Sequence, residues 1–160
     1  MDLNRYRLVS VWLLPAPPRE VYRALRDVPQ YPHWWPQVRE VRRLDDHTGR
    51  LRIRSLLPYQ LLLTVRERHQ DEAGGVLEAS LDGDLVGWSR WTVGADGPSA
   101  SRAVFEQDVR PGKPLMRRLA LPGRPLFLLN HAAMMRAGER GLRRRLLGSP
   151  DGSVSSGTGP

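Results

Sequence analysis

Six strand-like segments stand in a row through the middle of this chain, separated by nothing longer than a tight turn, and one long helical pattern follows them. The segments are "VREVRRL", "GRLRIRSL", "YQLLLTVRERHQ", "GVLEASLDG", "DLVGWSRWTVG" and "SRAVFEQDVR". Turn signals at residues 71–75, 83–84, 95–99 and 111–112 punctuate the run. A parallel strand pair needs a crossover of about a dozen residues or more, and no connection here has that length. The sheet is therefore expected to be antiparallel. In "GRLRIRSL", Leu51 and Ile53 alternate with Arg50, Arg52 and Arg54, the period of a strand with one buried face.

The flanks complete the pattern. "RYRLVSVWLL" at residues 5–14 reads as a first strand. Pro17 and Pro18 then suit a helix start, where a missing N–H costs nothing, and Val21, Leu25 and Val28 recur at helical spacing. Pro29 and Pro32 end that helix, so "YPHWWP" is a turn or a short helical piece. Adjacent tryptophans cannot share one face of a helix or strand. In a turn, Trp34 and Trp35 read as a plug, one ring facing the interior and the other an outer helix or strand edge. "PLMRRLAL" is a short helical run, and "RPLFLLNHAAMMRAGERGLRRRLLG" is the long one. Phe127, His131, Met135, Gly138, Leu142 and Leu146 fall on one stripe, with Arg136, Arg140, Arg143 and Arg144 opposite. Gly138 and Gly141 cost the helix about 1 kcal/mol each, so a close approach to the sheet is expected there.

Strands in a run with helices at the two ends predict an α+β fold. Six to seven antiparallel strands twist and curve, with the long C-terminal helix across the concave face and two short helices after the first strand. Residues 1–147 form the one domain that this length suggests. The Gly/Ser/Pro-rich residues 148–160 have nothing to bury and are expected to be disordered.

Composition excludes several chemistries. The chain has no cysteine, so disulfides and thiolate metal sites are ruled out. His33, His47, His69 and His131 show no ligand spacing, and no phosphate-binding glycine loop or G-x-S-x-G nucleophile motif is present. No metal and no cofactor is expected. The net charge is +8, and Lys113 is the only lysine. Nucleic-acid binding is one reading of that charge. However, the arginines are scattered over strands and helix without a nucleic-acid motif, so no nucleic acid is expected as a partner. No signal peptide or membrane span is read, and a cytoplasmic protein is expected.

"APPREVYRALRDVPQYPHWWP" after a first strand, "LDGDLVGWSRWTV" as a strand pair and "RPLFLLNHAAMMRAGERGLRRRL" as a last helix resemble the START-like, or SRPBCC, superfamily of polyketide cyclase/dehydrases and lipid-transport proteins. The resemblance runs from Tyr6 to about Leu147, and the "NH" pair of the last helix is similar to that of one bacterial subgroup. It implies a helix-grip fold: a curved sheet around a long helix, with a ligand cavity between. It does not imply one reaction, since members include carriers, receptors, co-chaperones and aromatase/cyclases.

A sheet curled round one helix has more wall than filling. An empty apolar void costs about 24 cal/mol per Å³, or roughly 7 kcal/mol for a ligand-sized ~300 Å³. Large side chains, water or a guest must occupy that space. Trp35, Trp91, Phe127, Met134 and Met135 are the candidate apolar contacts; for each the alternative is plain core packing. Trp91 shares a face with Leu85, Gly87, Ser89 and Val93, small and apolar as a cavity wall should be. Trp88 faces outward with Arg90, a cation–π pair in prospect. His131, in mid-stripe, is either a proton donor or acceptor facing the cavity or a neutral core histidine bonded to a strand side chain. On "SRAVFEQDVR", Gln107 faces inward if Phe105 and Val109 do, and is then a partner for His131 or a ligand. The opposite register buries Glu106 at a larger cost. Asn130 flanks the stripe as a cap or loop tether.

The leading expectation is a protein that binds a hydrophobic small molecule through these residues. An alternative is a cyclase/dehydrase-like enzyme with His131 as its acid/base, working mainly by holding a reactive chain in shape. A third is an interaction module that meets an anionic surface through Arg136, Arg140, Arg143 and Arg144.

Overall fold

The computed structural model describes residues 4–55, 60–118 and 123–148. β1 (Tyr6–Leu14) leads into α1 (Pro18–Arg26) and a 3-10 turn (Val28–His33). β2 (Val38–Arg43), β3 (Thr48–Arg54), β4 (Gln60–Asp71), β5 (Val76–Gly83), β6 (Leu85–Ala95) and β7 (Ser101–Pro111) follow, then α2 (Lys113–Arg118) and α3 (Gly123–Gly148). The seven strands form one sheet in the order β1-β7-β6-β5-β4-β3-β2, every pair antiparallel. The fold is the expected α+β helix grip. The first short helix begins as its prolines predict, with Pro17 at the cap and Pro18 in the first turn. The end expected for the short helical run "PLMRRLAL", at residues 119–121, and the tail from residue 149 lie outside the described residues.

Strand alternation sets the two faces. On β1, Tyr6, Leu8, Trp12 and Leu14 are buried, while Arg7, Val9, Val11 and Leu13 are exposed. On β7, Ser101, Ala103, Phe105, Gln107 and Val109 are buried. That settles the register in favour of Gln107, and Glu106 lies on the other face, opposite Arg90. Trp88 also faces outward, with the Arg90 guanidinium 4.9 Å from its ring centroid.

The buried side chains form two clusters rather than one. The first gathers Trp12, Trp34, Trp35, Trp91, Tyr22 and Tyr31 with the C-terminal half of α3. Trp12 is its centre: its ring lies 4.6 Å from Trp91, 5.2 Å from Trp35 and 6.3 Å from Trp34. Trp34 and Trp35 lie just past the 3-10 turn and stack on each other, centroids 5.4 Å apart and planes 19° from parallel. The second cluster gathers Tyr6, Leu8, Leu51, Ile53, Leu61 and Phe127, where Phe127 anchors the N-terminal half of α3 4.3 Å from Tyr6. Val28, Val41 and Met134 touch both clusters.

The helix glycines explain how α3 docks. A Cβ on Gly138 would sit 2.5 Å from Trp35 Cε2 and 2.8 Å from Trp12 Cη2, and one on Gly141 would collide with the Trp34 carbonyl oxygen. The close approach expected of these glycines is therefore made, but to the tryptophan turn and the Trp12 ring. Trp35 Nε1 also donates 2.9 Å to the Met134 carbonyl, tying the turn to the helix backbone.

β1 is an edge strand. Two helix arginines reach its carbonyls: Arg124 Nη1 donates to the Arg5 oxygen at 3.2 Å, and Arg143 Nη1 to the Leu13 oxygen at 3.0 Å. Arg143, one of the arginines of the basic face, thus spends one donor on this carbonyl while remaining exposed.

Gly→Ala inside a helix ordinarily gains about 1 kcal/mol from propensity. At Gly141 the sign reverses, because the added methyl meets backbone that cannot yield. Gly141→Ala is expected to destabilise by about 2–3 kcal/mol in urea unfolding. Gly148→Ala, where a Cβ meets nothing within 4 Å, should change stability by less than about 0.5 kcal/mol.

Candidate functional site

Between the two clusters lies a cavity of about 800 Å³. Its walls come from both: Trp35, Trp91 and Phe105 from the first, and Leu61, Leu63 and Phe127 from the second. α3 covers it with Phe127, Asn130, His131 and Met134, two turns of helix between its two anchors. Exposed residues mark the mouth, Arg23, Arg26 and Asp27 at the end of α1, and Arg43, Asp46 and His47 on the β2–β3 turn. Beside it, Arg19, Arg23 and Arg26 share one carboxylate, Glu72, at 3.7, 3.5 and 3.9 Å. The mouth is charged and of mixed sign; the interior is mostly apolar, with Ser89, Gln107, Asn130 and His131 as polar groups in its wall.

Most residues singled out in the sequence converge on this space. Trp35, Trp91, Gln107, Phe127, His131 and Met134 all line it. Met135 does not. It is 3 % exposed and packs in the tryptophan cluster. One helical residue turns the side chain by 100°, so Met134 and Met135 cannot both face the same wall. Trp34 also lies off the cavity: its backbone meets α3 at Gly141, while its ring packs on Tyr31 and Trp35, and it is the Trp35 ring that both lines the cavity and meets the helix at Gly138.

His131 is the chief polar group of the roof. Its ring lies 6.2 Å from Phe105, nearly parallel at 23°. Its Nε2 is buried and has no hydrogen-bond partner among the described residues. Burial without a partner disfavours the imidazolium and pushes its pKa down to about 4, so the ring is neutral at physiological pH. Gln107 lies in the cavity wall opposite Ser89 on β6, but no hydrogen bond joins it to His131 among the described residues. The core-histidine alternative, bonded to a strand side chain, is not what this geometry displays.

Asn130 carries more of the site than sequence reasoning gave it. It is 8 % exposed, accepts a 3.4 Å hydrogen bond from Ser55 Oγ, and lines the main cavity. Its tethering role agrees with the sequence. The signal for its burial was its place beside His131 on a helix whose covered face is wider than one stripe. Tyr31, which donates to the Leu25 carbonyl and faces the cavity, was also missed. Burial raises its pKa, so the phenol stays protonated. Among the described residues no group of three His, Asp or Glu could hold a metal ion, and no helix is long and apolar enough to cross a membrane.

A curved antiparallel sheet gripping a helix over an apolar cavity of ligand size defines the helix-grip class of proteins. The family model for polyketide cyclase/dehydrase and lipid transport proteins matches residues 14–126, and the chain belongs to that family. Solved structures agree on the fold. The Zhui aromatase/cyclase from Streptomyces sp. R1128 is 16% identical with a TM-score of 0.70, over 89% of this chain and 96% of that one. A START superfamily protein from Mycobacterium smegmatis is 17% identical with a TM-score of 0.69, over 88% and 97%. The di-domain aromatase/cyclase BexL from the BE-7585A biosynthetic pathway is 12% identical with a TM-score of 0.68, over 93% of this chain and 52% of that one. No curated protein matches in sequence.

The histidine gives a pH signature. Its folded pKa of about 4 lies below the unfolded value of about 6.5, so between these the unfolded chain binds a proton that the folded chain refuses. Its contribution is complete above about pH 6.5 and falls away as pH drops toward 4, by roughly 3 kcal/mol in total. A proton NMR titration should place the His131 ring midpoint near 4; a midpoint near 6.5 means a solvated ring. His131→Gln should flatten the stability slope across that window.

Proposed function

We propose that this protein binds a hydrophobic small molecule, aromatic, polyketide-like or lipid-like, in the cavity between sheet and α3. The observation that carries this reading is the cavity itself. A dry apolar void of about 800 Å³ would cost on the order of 20 kcal/mol, above the whole stability of a domain. The space therefore holds water or a guest, and its walls offer water few partners. Trp35, Trp91, Phe127 and Met134 give apolar contact, and Gln107 and His131 orient one polar group. Met135 supports the tryptophan wall from behind. A buried imidazole nitrogen without a partner is the kind of group that a guest's hydroxyl or carbonyl satisfies. A cytoplasmic setting fits a chain with no cysteine to oxidise.

A second reading is a cyclase/dehydrase-like enzyme, and the same nitrogen favours it. The neutral ring can accept a hydrogen bond from the enol or hydroxyl of a polyketide-like chain folded against the aromatic wall; with a pKa of about 4 it is a weak base, so holding the chain in shape would carry the reaction. Family membership supports both readings.

Native mass spectrometry of freshly purified protein should find a co-purifying small molecule. In solution, the neutral probe N-phenylnaphthylamine should bind and quench tryptophan fluorescence. Ser89→Phe, which fills the wall beside Gln107, should weaken it about tenfold. Loss of turnover with binding kept in His131→Ala favours the enzyme; unchanged binding in Ser89→Phe overturns the cavity as the binding site.

A further inference from the structure

The geometry points to an anion subsite behind the main cavity, in which Arg39 and Arg54 receive the carboxylate, sulfonate or phosphate end of an amphipathic guest. The inference rests on the cavity reading above and narrows its substrate class to amphipathic anions. A second pocket, of about 330 Å³, lies where the start of β2 and the end of β3 meet α3. Its lining includes Arg39, Arg54, Gln37 and Ser55 and, among the described residues, no carboxylate. On the strands, Arg52 pairs with Glu40, Arg43 with Asp46 and Arg90 with Glu78. Arg39 and Arg54 have no side-chain ion pair or hydrogen bond among the described residues. Two unmatched guanidiniums in one concave wall are a site for an oxyanion.

The wall is built, not incidental. A register shift between Val38 and Glu40 makes Arg39 the extra residue of a β-bulge, which re-aims its side chain. The Arg54 amide donates 2.7 Å to the Gln37 carbonyl, holding the two strand ends together. The Gln37 side-chain oxygen in the same wall is buried without a partner; as an acceptor it calls for a donor, so the anion site rests on the two guanidiniums alone.

Asn130 and Met134 line both spaces. They are the partition, and Met134 is its movable part: an unbranched thioether on a backbone held by Trp35 Nε1. A guest with its apolar body beside His131 and an anionic end past Met134 meets the two arginines. The front mouth is a poorer anion site, because Asp27, Asp45, Asp46 and Glu67 line it too.

Two fluorescent probes that differ by one sulfonate test this. Anilinonaphthalene sulfonate should bind about tenfold more tightly than N-phenylnaphthylamine at low salt. Arg39→Gln/Arg54→Gln should abolish that preference and leave N-phenylnaphthylamine unchanged. A charge-matched control, Arg50→Gln/Arg102→Gln, alters exposed arginines that line neither space and should keep the preference. A preference that survives in the first variant, or is lost equally in the control, overturns the subsite. So does equal weakening of both probes in Arg39→Gln/Arg54→Gln, which marks the arginines as structural. If N-phenylnaphthylamine binds the wild type without any preference for the sulfonate, the subsite alone fails. If it does not bind at all, the cavity reading fails and the subsite falls with it.

Discussion

Everything in this molecule hangs on how α3 is held at its C-terminal half. Two glycines, Gly138 and Gly141, let the helix settle against the Trp12 and Trp35 rings and the Trp34 carbonyl, and an indole N–H fastens the turn to the Met134 carbonyl. The cost of glycine in a helix is offset by aromatic burial at the contact. Phe127 against Tyr6 fixes the other end. A rigid rod fastened at two points over a concave sheet spans the hollow between them. The cavity is thus the space under the unsupported middle of the rod, and its roof is whatever the sequence places at Asn130, His131 and Met134.

The same arrangement explains why the core is divided. The tryptophan cluster and the leucine-rich cluster each close around one helix anchor, and only Val28, Val41 and Met134 bridge them. A side chain in the divide is shielded from water without being packed into hydrogen bonds. That is the situation of the His131 imidazole, and it accounts for a ring that is neutral and short of a partner. Both proposed readings, binding and catalysis, draw on one physical fact, a polar nitrogen held in a largely apolar wall.

Much of the fold was legible because strand period is a local property. The faces of β3 and β6 follow from alternation: Leu51 and Ile53 inward, Trp91 inward, Trp88 outward with Arg90; on β7 alternation left two registers, and the cost of burying Glu106 pointed to Gln107 in the cavity wall. The helix was harder. At 100° per residue, the boundary between a cavity-facing and a core-facing position falls between adjacent methionines, and it depends on where the rod rests. Gly138 and Gly141 fix that resting place, but their partner, the backbone of the Trp34 turn, is far away in sequence. Arg39 was illegible for another reason. Its direction comes from a bulge, whose only sequence trace is the three-residue spacing of Val38 and Val41 in "VREVRR", a break in alternation that does not say which residue is the extra one.

The edge strand β1 carries a further consequence. Its outward side chains include Val9, Val11 and Leu13, the first of them 68 % exposed, and its carbonyls at Arg5 and Leu13 are covered by arginines that belong to the helix. An open edge with an oily flank is a template onto which another chain can add itself. The helix therefore acts as a chaperone for its own sheet. Partial peeling of α3 would unroof the cavity and bare this template in a single event, coupling loss of the fold to self-association from the first step.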